Sequence, residues 1–309
     1  MQIQHGFFKL TFFGSLFAIF FYSRCSNHIP ELKHMRQGAF FLFFYLLIHS
    51  LWAQDQLSQN RVEKLYQQGM DLVQHSNFGA ARESFSSFLA HAPVTDARRS
   101  EAEYYVAFCA LNLGHKDGEK LIDEFIDHNP SSPKASTAYF DLAVFFYSEA
   151  NYTKAATYFK KVNFPALTAA QQSEGHFKFG YSHFNQKKLD EALEQFNFVK
   201  RQSNAYSAAA SYYAGFLEYA KGIYDEALFD LKKAEASPAY STIVPYLIAN
   251  VYYRQQRYDT VIEYGNSLKG KQNLTNANEI AMLVAEAYYY KGDFKKSASE
   301  YQQYFNNKG

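Results

Sequence analysis

Cysteine is scarce. Two in 309 residues leave no disulfide framework and no multi-cysteine zinc or iron–sulfur site. Proline (7) and glycine (15) are also few, which suits packed helices rather than loops. A formal net charge of +1 lacks the basic footprint of a dedicated nucleic-acid binder. With 48% hydrophobic and 20% charged residues the chain is neither a disordered tail nor a polytopic membrane protein. No run after residue 53 is long and apolar enough to cross a membrane. What is abundant is aromatic side chains: 30 Phe, 26 Tyr and a single Trp, or 18% of the chain.

The start of the chain differs from the rest. Two apolar runs, Leu10 to Tyr22 and Ala39 to Ala53, are each shorter than the roughly 18 residues that span a bilayer. The second has the anatomy of a secretory signal. Met35 and Arg36 form a short positive start, Phe40 to Ile48 an apolar stretch, and Ala53 a small residue before Gln54-Asp55. An arginine just before Cys25 argues against a lipoprotein signal. These features set the expected organisation. Residues 1–34 read as a misassigned upstream extension, 35–53 as a signal peptide, and 54–61 as a linker, with 62–305 a repeat array and 306–309 a tail. An uncleaved N-terminal anchor is the alternative, with a membrane tether through 39–53. Either way the remainder is expected to be exported, to the periplasm or held at the inner membrane facing it. Removing residues 1–53 takes away four basic residues and one acidic one, leaving 27 basic against 29 acidic. Only Cys109 then remains, so no internal disulfide can form.

A period of 34 to 37 residues runs through the rest. Ala81, Gly118, Ala155, Ala192, Ala227, Val261 and Ser297 follow one another at intervals of 37, 37, 37, 35, 34 and 36. Twelve positions before each lies Gly69, Val106, Ala143, Gly180, Gly215, Ala249 or Ala285. Three before the first set come Phe78, Tyr152, Leu189, Tyr224, Tyr258 and Phe294, with His115 breaking the pattern in the second repeat. Four after it come Phe85, Ile122, Phe159, Phe196, Leu231, Gly265 and Tyr301. The physical reading is a helical hairpin. Small residues let two helices approach, and large residues fill the groove beside them. Polar turns such as Glu149-Ala150-Asn151 and Gln186-Lys187-Lys188 join the two helices. Pro93 and Pro130 close the first two repeats, where proline stops a helix without breaking one.

This small–small–large pattern resembles the tetratricopeptide repeat (TPR). Tyr104-Tyr105 through Phe125-Ile126 to Pro130-Ser131-Ser132-Pro133 is similar to the variant in Gram-negative envelope proteins. These include the TPR subunit of the outer-membrane barrel assembly machine and the Tol–Pal coordinators. The layout of signal and aromatic-rich repeats is most similar to periplasmic TPR proteins of the Bacteroidota. The resemblance covers about 62–305 and implies an all-α fold, a right-handed α-solenoid of about seven hairpins. It departs from the pattern at Val106, His115 and Gly118, and again at Val261 and Gly265, so irregular hairpins are expected there.

Chemistry is thin by comparison. Gly265-Asn266-Ser267-Leu268-Lys269-Gly270-Lys271 has the spacing of a phosphate-binding loop, but Gln272 stands where Ser or Thr should hold magnesium. The segment before it also reads as a helix rather than a strand. His176 and His183 lie two helical turns apart, about 10.5 Å, too far to chelate one metal, and read as packing residues. Cys109 falls in an apolar helix and reads as a small core residue. No Gly-x-Ser-x-Gly elbow occurs. Neither an enzyme nor a cofactor, metal or small-molecule substrate is expected.

The resemblance implies that the first helix of each hairpin lines a concave groove. Its fifth, ninth and twelfth positions carry Tyr147, Tyr181, Tyr212, Tyr219, Tyr246, Tyr253 and Tyr289, together with Tyr66, Phe140, Phe177, Phe184, Phe216 and others. Aromatic rows suit peptide recognition, and equally suit packing between stacked repeats. Basic residues are few there, Arg254 excepted, which disfavours a clamp for acidic peptide ends. Single-stranded nucleic acid would need a cationic groove that a near-neutral chain does not provide. Glycan binding is a third option, weakened by the single Trp. The expected function is therefore a non-catalytic periplasmic scaffold for a protein or peptide, possible roles being envelope or outer-membrane assembly. The alternative is self-association as a homo-oligomer through the last repeat, since Tyr304 to Gly309 supplies no polar capping helix. A partner, a second copy or a truncated gene would each account for that end.

Overall fold

The computed structural model describes residues 59–308, and Tyr45 before them. The expected extension and signal lie outside the described residues apart from Tyr45, which is helical and exposed. The chain divides into two units, Met1–Gln67 and Gln68–Gly309. The packing that follows lies within the second.

Fourteen α-helices run through residues 59–308, and no strand occurs among them. They form seven hairpins. The first three are α1 (59–74) with α2 (Phe78–His91), α3 (Arg99–Asn112) with α4 (Gly118–His128), and α5 (Ala135–Ser148) with α6 (Tyr152–Phe159). Next come α7 (Ala169–Asn185) with α8 (Leu189–Lys200), and α9 (Ser207–Ala220) with α10 (Tyr224–Glu235). The last are α11 (Pro245–Arg254) with α12 (Tyr258–Ser267), and α13 (Ala277–Tyr290) with α14 (Phe294–Lys308). The first helix therefore begins within the stretch read as a linker, and the last runs into the stretch read as a tail. The fold is an all-α solenoid of helical hairpins.

One turn is used seven times. Ser76, Gly114, Ala150, Lys187, Gly222, Gln256 and Gly292 all sit at φ between 54° and 80°. Each is followed by an amide that reaches back five residues, as Asn151 does to the Phe146 carbonyl and Lys188 to that of His183. A left-handed residue with this long return bond satisfies the last carbonyls of a helix and reverses the chain. Glycine adopts the conformation freely in three turns, whereas Ser76, Ala150, Lys187 and Gln256 hold it against the Cβ penalty.

The small positions bring the helix pairs together. All seven residues of the series from Ala81 to Ser297 are buried. A Cβ on Gly180 would stand 2.9 Å from the Phe196 ring, and one on Gly215 2.8 Å from Leu231. Glycine there gives the large residue of the partner helix its space. The second hairpin differs from the expected register. Ala107, not Val106, is the buried small residue eight positions before the turn's end, and Val106 is half-buried. Helix α4 starts only at Gly118, so the hairpin is one residue shorter between its small positions. Gly118 compensates by close approach, since a Cβ would lie 2.7 Å from the Leu111 Cα. In the sixth hairpin Gly265 takes the large position, and Val284 of α13 enters the space a Cβ would need.

Between α6 and α7 the chain makes a 3-10 turn, Phe164–Ala166. Thr168 then caps α7 reciprocally with Gln171. Across later repeats a surface latch recurs. Asp190, Asp225 and Asp259 occupy the second position of α8, α10 and α12. They bind Lys221, Gln255 and Lys291 at the end of the next hairpin's first helix.

Candidate functional site

The expected groove residues lie on the odd-numbered helices, and most of their rings pack against rings of their own or the next hairpin. Tyr147 on α5, Tyr152 opening α6 and Tyr181 on α7 meet edge to face, with centroids 5.6 to 5.8 Å apart. The Lys178 ammonium lies 5.3 Å from the Tyr147 ring centre. A second group centres on Tyr213, which the sequence reading passed over. It touches Tyr181 at 5.4 Å, Phe184 at 5.3 Å, Phe196 at 5.3 Å and Tyr212 at 5.1 Å. Tyr212 in turn stacks on Tyr240, from the loop before α11, at 5.0 Å.

Further along, Tyr219 meets Tyr224 at 6.2 Å. Tyr253 meets Tyr258 and Tyr290, which stack on each other at 5.0 Å. Tyr246 packs half-buried against the core shared by α10 to α13. Tyr289 is 56% exposed, beside Phe294. Tyr147, Tyr181, Tyr212, Tyr219, Tyr246 and Tyr253 are half-buried, each with ring area left at the surface, and Tyr290 is exposed like Tyr289. Phe140 and Phe177 are buried, as is Tyr66, so these three belong to packing. Phe184 and Phe216 are half-buried and touch at 6.2 Å.

The second and third hairpins place different chemistry at corresponding positions. The Tyr104 hydroxyl donates to Asp141 Oδ2 at 2.7 Å. Lys134 donates to the Tyr105 hydroxyl at 3.0 Å and lies over both tyrosine rings. Burial pushes the Asp141 carboxyl up to about 6, against the pull of the Tyr104 hydrogen bond and the Lys134 charge.

Two clefts lie elsewhere, on α8 and α10, with Arg201 common to both. One, of about 580 Å³, runs between Arg201, Phe229 and Lys233. The other, of about 460 Å³, is bordered by His176 and Phe198. Beside the first, Lys200 binds two buried carboxylates, Glu218 at 2.9 Å and Asp230. Burial raises the Glu218 carboxyl, and the Asp230 charge adds to this against the pull of Lys200. One oxygen of each carboxylate is shut away from solvent without a partner. This cluster ties hairpins four and five, and its Lys200 and Asp230 also line the first cleft.

The remaining sequence candidates are accounted for by packing. His176 is sandwiched between Phe164 and Phe198, at 4.0 and 3.9 Å, and its Nδ1 meets Gln195 at 2.8 Å. His183 is buried 4.5 Å from the Phe179 ring. Among the described residues no group of three His, Cys, Asp or Glu could hold a metal. Cys109 is buried, and its thiol is pushed up to about 11 by that burial. The phosphate-loop look-alike starts inside α12, and its lysines are committed to Glu300 and to the Ser241 carbonyl.

Hairpins of this kind define a repeat solenoid, a class whose business is surface rather than pocket. Within it, residues 177–241 match the family described as tetratricopeptide repeat. No curated protein matches the chain. Solved structures similar to it include one of Pseudomonas aeruginosa pilF, at 17% identity and TM-score 0.46, over 69% of this chain and 92% of that one. A tetratricopeptide repeat protein from Parabacteroides merdae gives 12% and 0.46, over 80% and 93%. The apo form of RapI gives 13% and 0.49, over 81% of each.

Proposed function

We propose that this chain is a non-catalytic scaffold that binds another protein through the tyrosine row of its odd-numbered helices. The observation that carries this is the run of half-buried tyrosines from Tyr147 to Tyr253, rooted in the core yet keeping ring area at the surface. Tyrosine offers contact area at low entropy cost with a polar tip. The signal-like segment at 35–53 supports a periplasmic setting, and with it a part in envelope or outer-membrane assembly. Among the described residues no helix is long and apolar enough to cross a membrane.

The test is a crosslinked pull-down from native envelopes, comparing wild type with the triple variant Tyr212→Ala, Tyr219→Ala, Tyr253→Ala. Circular dichroism checks that both fold alike. A partner captured by wild type and lost from the variant supports the row as the binding face. The same partners with both would mean that the rings only pack.

A second reading rests on the last hairpin. Tyr289, Phe294 and Phe305 are 56%, 63% and 63% exposed, where Tyr253 and Tyr258, one repeat before the first two, are half-buried. Self-association through that patch predicts a sedimentation coefficient that rises with concentration and stops rising in Phe294→Ser, Phe305→Ser.

A further inference from the structure

The cluster on Lys200 does not balance in charge. Its ammonium donates to Glu218 Oε1 at 2.9 Å and to Asp230 Oδ2, with the three side chains 13%, 6% and 2% exposed in that order. One cation thus faces two carboxylates out of water, which leaves a net negative charge buried. Each carboxylate also has an oxygen, Glu218 Oε2 and Asp230 Oδ1, that is shut away from solvent and has no partner. A buried acceptor left without a donor is costly.

Among the described residues the surrounding helices do not supply the missing positive charge. Arg201, at the end of α8, is exposed. On α10 the Lys233 ammonium is taken by the Lys200 carbonyl, and Lys232 lies over the Tyr252 ring. Asp225 and Glu226, on the same helix, have the wrong sign. Lys221, just past α9, is bound to Asp190. On α7, Lys178 pairs with Glu174, while His176 and His183 pack against rings. The one charged residue of α11, Arg254, is exposed. A water between the carboxylates would satisfy the oxygens and leave the charge. A proton answers both needs, because an O–H on one carboxyl donates to the other and removes one negative charge. Burial already holds the Glu218 carboxyl above its ordinary range, and Asp230 adds to this through its charge and a side-chain hydrogen bond.

We propose that Glu218 and Asp230 share one proton in the folded chain, which makes the Lys200 cluster neutral and places a proton-controlled tie between hairpins four and five. Losing the proton restores the buried negative charge and strips one oxygen of its donor, so α8, α9 and α10 hold one another less tightly. An unfolded glutamate keeps its proton only below about 4.3. From there up to the folded midpoint the folded chain holds the extra proton, so this tie weakens as pH rises through that window. The inference stands apart from the tyrosine-row reading, although Tyr219 of the row follows Glu218 directly in α9.

Carbon-13 NMR of the full chain, labelled at the glutamate carboxyls, tests it, with the Glu218 signal assigned by its loss in Glu218→Gln. The Glu218 carboxyl is expected to titrate above the ordinary glutamate value of about 4.3, and its midpoint to fall by about one pH unit or more in Asp230→Asn. A Glu218 midpoint in the ordinary range overturns the proposal. So does a raised one that Asp230→Asn leaves unmoved, since burial alone would then account for it. Urea midpoints measured against pH give a second reading that needs only Glu218→Gln to fold. Relative to this variant, wild type should lose stability as pH rises from about 4. Asp141 titrates in both chains and cancels from the difference. Parallel curves, or a wild type that gains on the variant as pH rises, overturn the proposal.

Discussion

Hairpins two and three join through polar groups where hairpins four and five join through rings. At the first joint Tyr104 gives its hydroxyl to the half-buried Asp141, and Lys134 is pinned between two tyrosines and Glu101. At the second, Phe177, Tyr181, Phe184 and Phe196 close around Tyr213. The backbone task is the same in both, since stacked hairpins must bury the face each exposes alone. The difference lies in what the joint responds to. The rings depend on shape and are indifferent to pH, whereas a carboxyl held away from water brings proton binding into the interface, as Asp141 does at the first joint and Glu218 beside the rings of the second. The first joint runs through its carboxyl directly, and the second gives the row its fixed tyrosines.

The comparison breaks most sharply at the ring joint's centre. Phe196 is fully buried under Gly180 and stacked on Tyr213, so Phe196→Ala should cost about 3–5 kcal/mol, read from urea denaturation. A smaller loss would mean that the neighbouring rings collapse into the space. The ring joint also has one charged tie on its other side, Lys200 with Glu218 and Asp230. Lys200→Met leaves two buried carboxylates without compensation, at a cost of about 3 kcal/mol. Adding Glu218→Gln and Asp230→Asn should return much of it. A triple variant no more stable than Lys200→Met would show that the lysine acts through packing alone.

The polar joint is tested by pH. Asp141 keeps its proton up to about pH 6 in the folded chain, whereas an unfolded aspartate releases it near 3.9. Between these values the folded state binds more protons, so this group's contribution makes stability fall as pH rises from about 4 to 6. Wild type should gain on Asp141→Asn as pH is lowered through that window, measured as the difference in thermal midpoint. Parallel pH curves would exclude the assignment. The smallest effect concerns the turns that both regions share. Lys187→Gly and Gln256→Gly relieve a left-handed residue and should stabilise their hairpins by about 0.5–1 kcal/mol. Slower amide exchange around the altered turn would register the gain.

Much of this architecture was legible in the chain. The recurrence of small and large residues located all seven hairpins, because the positions that let helices approach tolerate few side chains. It misplaced the second small position because Val106 and Ala107 are adjacent, and only the shortened start of α4 decides between them. It also flagged the tyrosines of the first helices. It overlooked Tyr213 and Tyr240, whose partners come from another hairpin and from a loop, where periodicity within a helix carries no information. The Tyr104–Asp141 bond was equally invisible to a search within single helices. Its residues stand 37 apart, about one repeat. Complementary residues separated by one period are the signal that would have found it.

The latch from Asp190 to Lys221, repeated as Asp225 to Gln255 and Asp259 to Lys291, has a consequence for inheritance. Each of these hairpins carries an acceptor near the start of its second helix, matched by a donor at the end of the following hairpin's first helix. The joint is thus written once per unit, half on each side, and any two such units can adjoin. Duplicating or deleting one of them preserves every junction without a new compensating mutation. Gene-level length variation should therefore concentrate in the latched part of the array.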